Sequence, residues 1–148
     1  MQSSPTPLLY ITRVVEFSAA HRLYREDLSL EKNLDLFGPC ANPNGHGHNY
    51  VLEATFLGPV DRDTGMVVHF ASLRRLLDEL VVGPMDHKNL NFDVPFLSGL
   101  LPSSENVVMR LWQEISRAIP GQGWSLHKLK LAASSRNWVE YYGPNHHG

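Results

Sequence analysis

At 148 residues, 43% apolar and 19% charged, the chain has the length and balance of one globular domain with a buried core. Thirteen basic against fifteen acidic side chains leave a formal charge of −2 with no dense Lys/Arg block, which argues against nucleic acid as a partner. The longest apolar runs, such as Leu76-Leu77 and Val81-Val82, are too short to cross a bilayer, so no membrane partner is expected. One cysteine precludes an internal disulfide and suits a reducing compartment.

The N-terminal MQSSPTPLLY has no charged region followed by a long apolar one, so no export signal is expected and a cytoplasmic location follows. After a Pro/Ser-rich tip, Leu8 to Ser18 is rich in β-branched and aromatic residues and predicts a strand. His21 to Gly45 mixes charge with Gly38, Pro39, Pro43 and Gly45; it is too long for a hairpin turn and has room for a short helix around Leu30–Leu36. Tyr50 to Leu57 alternates as a second strand, and Gly58-Pro59 and Asp63-Thr64-Gly65 then mark a turn.

Phe70, Leu73, Leu76, Leu77 and Leu80 fall on one face of a helix predicted to end near Gly83-Pro84. A second helix is predicted from Ser104 to Ile119, burying Val107, Val108, Leu111, Trp112 and Ile115. Ser103 or Ser104 would cap it, Glu105 sits where the helix dipole favours an anion, and Pro120-Gly121 stop it. Leu126–Leu131 and Trp138–Tyr142 read as closing strands. The order β-β-α-α-β-β predicts a single α+β domain over residues 1–148, an antiparallel sheet with two helices on one face. Its open edges lead us to expect a homo-oligomer.

His46-Gly47-His48 is the sharpest chemical signal. In an extended segment, residues two apart project to the same side, so both imidazoles can face one ion. His21 follows the first strand; if the two strands pair antiparallel, it lies beside them. Three neutral imidazoles with a position left for water describe a catalytic zinc site, whereas structural zinc usually takes four protein ligands. Taken alone, HGH reads as a glycine-rich turn with exposed histidines. His21 at a strand end and Cys40 six residues upstream weigh towards Zn²⁺. His146 and His147, near the end, read as a solvated tail.

Cys40 lies in a turn-rich loop near the proposed metal, where a thiol ionises more readily; the competing reading is a small buried apolar side chain. Asp86-His87 can set an imidazole tautomer for proton transfer, or simply cap a helix-ending turn.

The stretches FSAAHRL, EKNLDLFGPC, CANPNGHGHNY, DRDTGMV, PMDHKNLNFDVP and PSSENV, spread from Phe17 to Tyr142, resemble the 6-pyruvoyl-tetrahydropterin synthase family, which includes the 6-carboxytetrahydropterin synthases of queuosine biosynthesis. The five residues between Cys40 and His46 resemble the pyruvoyl-forming branch, of tetrahydrobiopterin biosynthesis, more than the carboxy-forming one. The resemblance implies a T-fold assembled as trimers or stacked hexamers, with active sites between subunits. It implies a lyase that eliminates triphosphate from the reduced pterin 7,8-dihydroneopterin triphosphate while rearranging the side chain by internal redox. It implies His21, His46 and His48 as zinc ligands, Cys40 as the proton-abstracting thiol, and Asp86 with His87 as the rest of the relay. Ser103 and Ser104 match hydroxyl positions beside the pterin. Arg22, Arg25 and Lys88 are candidates for holding the triphosphate.

One departure stands out. The family carries a glutamate that grips the pterin ring, and this chain has Ala133 there, with Lys130, Asn137, Tyr141 and Gly143 keeping the register. A carboxylate accepts two parallel charge-assisted hydrogen bonds from such a ring, worth about 1.5–3 kcal/mol each. Three readings stay open: Glu105 or another acid takes over, the ring is a different one, or the chain is a non-catalytic zinc- or ligand-binding relative.

Overall fold

The computed structural model describes residues 4–148; the first three residues of the N-terminal tip, and the part of the export-signal reading that rests on them, lie outside it. Strand β1 (Leu8–His21) and strand β2 (His46–Pro59) are long antiparallel partners, running from Leu8↔Pro59 to His21↔His46 without a break in register. Val15, Phe17, Ala19 and His21 on β1 alternate inward, as do Tyr50, Leu52, Ala54 and Phe56 on β2. The alternate positions Leu8, Tyr10 and Val14 stay exposed on the other face.

Both strands reach past their predicted ends, Ser18 and Tyr50. Glycine is the reason. A Cβ on Gly47 would lie 3.2 Å from the Ala19 carbonyl oxygen, and one on Gly45, whose φ is +70°, would lie 3.0 Å from that of His21. These glycines signal a turn in sequence, yet here they let β1 and β2 close tightly over their last residues.

Between the strands, α1 (Leu30–Phe37) is capped by Ser29, whose hydroxyl accepts from Lys32 N, and runs into a 3-10 turn, Gly38–Ala41. Buried Asn33 holds this segment: its amide donates to the carbonyls of Arg25, Leu28 and Ser29, and its carbonyl accepts from Arg25 N at 2.7 Å. A region with few apolar residues is thus ordered by a polar anchor.

Helix α2 (Phe70–Leu77) continues through a π-turn, Asp78–Val82, into the short helix α3 (Gly83–Met85). Gly83-Pro84 therefore does not end the helical run as predicted; Gly83 N–H bonds Asp78 O within the wide turn, and the run stops at Asp86, which turns extended. The wide turn changes which side chains share a face. Leu73, Leu77, Val81 and Met85, four apart, are fully buried, while Phe70, predicted on the apolar face, is 63% exposed. Each such buried side chain contributes about 1.5–3 kcal/mol of transfer free energy.

After β3 (Lys88–Asn89), α4 (Ser104–Ala118) buries Val107, Val108, Leu111 and Ile115, and Trp112 packs edge-on against Tyr141. Its N-cap is Ser103, whose hydroxyl accepts from Asn106 N at 3.2 Å. Strands β4 (Ser125–Ala132) and β5 (Trp138–Tyr141) complete a sheet of order β3-β1-β2-β4-β5. The α+β class holds, with one correction to the expected antiparallel sheet of four strands: β3 is a fifth and pairs parallel to β1. Two residues carry no periodicity to read. Among the described residues, no helix is long and apolar enough to cross a membrane.

Candidate metal centre

The three histidines meet at the shared end of β1 and β2. His21 stands opposite His46, and His48 stands opposite Ala19, so all three project from the inward face. One ring nitrogen from each lies within 4.8 Å of the others. Bonds from zinc to imidazole are about 2.0–2.1 Å, which spaces tetrahedral ligand atoms roughly 3.3 Å apart. The His21 and His46 Nε2 atoms lie 3.1 Å from each other, within a few tenths of that spacing. The reading of HGH as a turn with exposed histidines does not describe this geometry.

The tautomers suit a cation. His21 Nδ1 donates to the Pro102 carbonyl at 2.8 Å, which leaves the lone pair of Nε2 pointing at His46. That proton assignment follows from the carbonyl being able only to accept. Burial is the main cause holding the His21 pKa below the ordinary imidazole value; the Pro102 bond opposes it, and His46 and His48 add to it. His48 is held down by burial first and His46 second. Imidazoles that resist protonation keep their lone pairs for a metal. The donor set of three neutral rings fits a divalent ion with a position left over.

Cys40 sits in the 3-10 turn, half-exposed. Leu23 N donates to its carbonyl at 2.8 Å, and Arg22 Nε to that of Ala41 at 3.0 Å, so the loop is tied to the residues just after β1. Asn91 adds two bonds to the Arg22 backbone, each 2.8 Å. The sequence reading missed Asn33, Asn91 and the Pro102 carbonyl; side-chain amides in loops and a backbone oxygen leave no pattern to find.

Asp86 and His87 form a pair, with Asp86 Oδ2 2.9 Å from His87 Nδ1. The other oxygen, Oδ1, accepts from Ser18 N at 2.8 Å, and His87 N donates to Ser18 O. His87 takes a φ of 61°, uncommon for a residue with a side chain. The Ser18 N–H first, and His87 second, hold the Asp86 carboxyl below its usual range. The imidazole is 82% exposed and lines a recess of about 540 Å³ with Ser18, Ala20, Gly47, Asn49 and Lys88. Ser18 pairs with Asn49 and Ala20 with Gly47, the strand positions that face away from the histidine cluster. Ala19 and His48 line the same recess, so the pair stands beside the end of β1 and β2 that carries the cluster.

Ser104 and Glu105, at the start of α4, line a second cavity of about 500 Å³ together with Ala133, Arg136, Asn137, Trp138 and Val139. Ser103 is spent on the helix cap. The cavity is linked to the histidines through Pro102, which precedes the cap and accepts from His21. Of the candidate phosphate cations, Arg25 is paired with Asp27, and the Arg22 guanidinium stacks over Tyr24 at 4.1 Å; Lys88 is exposed beside His87.

Residues 10–144 match the family model described as 6-pyruvoyl tetrahydropterin synthase. The chain belongs to that family. The 6-pyruvoyl tetrahydrobiopterin synthases of Pongo abelii and Homo sapiens are 44% and 43% identical to it over 133 residues, 90% of this chain and 90% of each relative. The solved structure of Caenorhabditis elegans 6-pyruvoyl tetrahydropterin synthase superposes with a TM-score of 0.86 at 35% identity, covering 95% of this chain and 99% of that one. Membership in the 6-pyruvoyl tetrahydropterin synthase family makes the chain a lyase of T-fold architecture.

Proposed function

We propose that this chain is a zinc-dependent lyase of the 6-pyruvoyl tetrahydropterin synthase type, eliminating triphosphate from 7,8-dihydroneopterin triphosphate. The observation that carries the reading is the convergence of His21, His46 and His48 in a chain whose relatives bear that name. Zinc bound there would supply Lewis acidity, polarising the side-chain oxygens of the substrate and acidifying the adjacent C–H.

Cys40, on the loop tied to the end of β1, takes that proton as a thiolate. His87, with Nδ1 fixed by Asp86, exchanges a proton at its other nitrogen. We assign Asp86 and His87, whose imidazole is 82% exposed, to the site of a neighbouring copy, in a trimer or a pair of stacked trimers. Lys88 accompanies them as the free cation for the triphosphate.

The cavity at Ala133 supports retained ring recognition with a changed anchor. Glu105 lines the same space as the alanine, so its carboxylate takes the ring N–H and amino group. The competing reading, an altered ring or a non-catalytic ligand-binding relative, rests on the same alanine and predicts binding without product. Incubation of zinc-loaded protein with 7,8-dihydroneopterin triphosphate is expected to release triphosphate, and Cys40→Ala to abolish release. No turnover by the wild type rejects the proposal.

A further inference from the structure

The segment between the two long strands is not held by apolar packing. From Arg22 to Gly45 only Asn33 and Ala41 are buried, and Leu30, Leu34 and Leu36 of α1 stay exposed. Polar bonds therefore fix where the turn carrying Cys40 sits. Its carbonyls receive them: Cys40 O accepts from Leu23 N at 2.8 Å, and Ala41 O accepts from Arg22 Nε at 3.0 Å. The Arg22 guanidinium is braced over the Tyr24 ring at 4.1 Å. The place of Cys40 is thus set by the course Arg22 and Leu23 take as they leave β1.

Arg22 is itself held from the other side of β1. Strand β3 pairs with β1 only at Ala19 and Ala20, and Leu90 N donates to Ala20 O at 2.8 Å. Beyond that point a side chain continues the ladder. Asn91 Oδ1 accepts from Arg22 N and Asn91 Nδ2 donates to Arg22 O, both at 2.8 Å. The carboxamide stands in for a peptide unit, since it offers one acceptor and one donor side by side. Asn91 is braced in turn, its own N–H donating to Asn89 Oδ1 at 2.9 Å. A chain of bonds therefore runs from Asn91 through Arg22 and Leu23 to the backbone of Cys40.

We propose that Asn91 is a positioning residue for Cys40, acting through Arg22: its carboxamide sets the course of the chain leaving β1, and with it the point from which the sulfur meets the substrate. This deepens the lyase reading, on which the role of Cys40 as a base rests. Misplacing a reacting group by about 1 Å costs on the order of 10²-fold in rate, so a residue with no contact to substrate can govern turnover.

The test compares full-length, zinc-loaded Asn91→Ala with wild type, by turnover of 7,8-dihydroneopterin triphosphate and by amide hydrogen exchange. The variant is expected to lose kcat about 10- to 10²-fold with KM and zinc content unchanged. Its Leu23 amide, the donor to Cys40, is expected to exchange about tenfold faster, while Val15 in mid-strand is unaffected. Arg22→Lys, which keeps the charge and removes the Nε–H, is expected to show the same kcat loss at constant KM. An unchanged kcat, or a Leu23 amide as protected as in wild type, overturns the proposal. So does zinc lost in step with kcat, which assigns Asn91 to the metal site, and so does a raised KM in Arg22→Lys, which assigns Arg22 to the triphosphate. If Asn91→Ala does not fold, Asn91→Asp, which keeps the acceptor for Arg22 N and loses the donor, must give the same split; an unmoved kcat there sinks the idea. Wild type without turnover rejects the lyase reading alone, and Leu23 exchange then decides the proposal by itself.

Discussion

The histidine cluster and the Asp86–His87 pair are both built on β1, and they are built differently. The cluster is encoded by strand alternation: three side chains from two paired strands converge on the buried side, with His21 4% exposed and locked by Pro102. The Asp86–His87 pair is encoded by a helix end. It hangs on Ser18 through backbone and carboxylate bonds and leaves an imidazole 82% exposed. A metal cluster complete within one chain needs burial to strip water and hold ligands neutral. An acid–base group that serves another copy needs exposure. On the proposed reading, the difference separates what one chain would do alone, hold a metal, from what it would need a neighbouring copy for.

The sharpest way to break this contrast is to mix defects. His46→Ala and His87→Ala are each expected to abolish most turnover, with the loss at His87 about 10²–10⁴-fold, the size typical of a proton-transfer group. Co-assembled, the two variants should recover part of the activity, because some sites then combine an intact cluster with an intact His87. Absence of recovery in stable mixed oligomers means that the pair serves its own chain.

A smaller effect is expected at the second cavity. Glu105→Gln should raise KM about 10- to 10²-fold with kcat nearly kept, the loss of one charge-assisted pair to the ring. An unchanged KM removes Glu105 from ring recognition and leaves Ala133 without compensation.

The smallest effect is on stability. The Asp86 carboxyl titrates below its unfolded value because Ser18 N–H and then His87 favour its charged form. Its stabilisation is therefore present above the unfolded pKa, near about 3.9, and is lost as pH falls through the lower folded value. Asp86→Asn should melt slightly below wild type at neutral pH, with the gap closing in strong acid. A gap independent of pH assigns the cost to geometry instead.

Much of this was legible in the sequence, where local pattern and tertiary structure agree. Antiparallel pairing was enough to bring His21 beside His46, and α4 folded on the face its spacing predicts, under the Ser103 cap. Patterns failed where one residue type serves two ends. Gly45 and Gly47 read as turn residues but permit close strand approach, so both strands were drawn short. Gly83-Pro84 read as a stop, and a π-turn carried the helix through it. Phe70 matched the apolar spacing but is the first residue of α2 and stays exposed, whereas Leu73, Leu77, Val81 and Met85 run buried through the π-turn. Asp86 and His87 were visible as neighbours in the chain, but the face they occupy depends on the two-residue strand β3, which has no sequence signal.

The measurement that bears most directly on the account is metal content. Protein purified with zinc and dialysed against metal-free buffer should retain one zinc ion per chain by mass spectrometry, and His46→Ala should retain almost none while keeping its fold. Wild type that emerges without metal, or His46→Ala that holds as much as wild type, contradicts the claim that these three imidazoles share a cation.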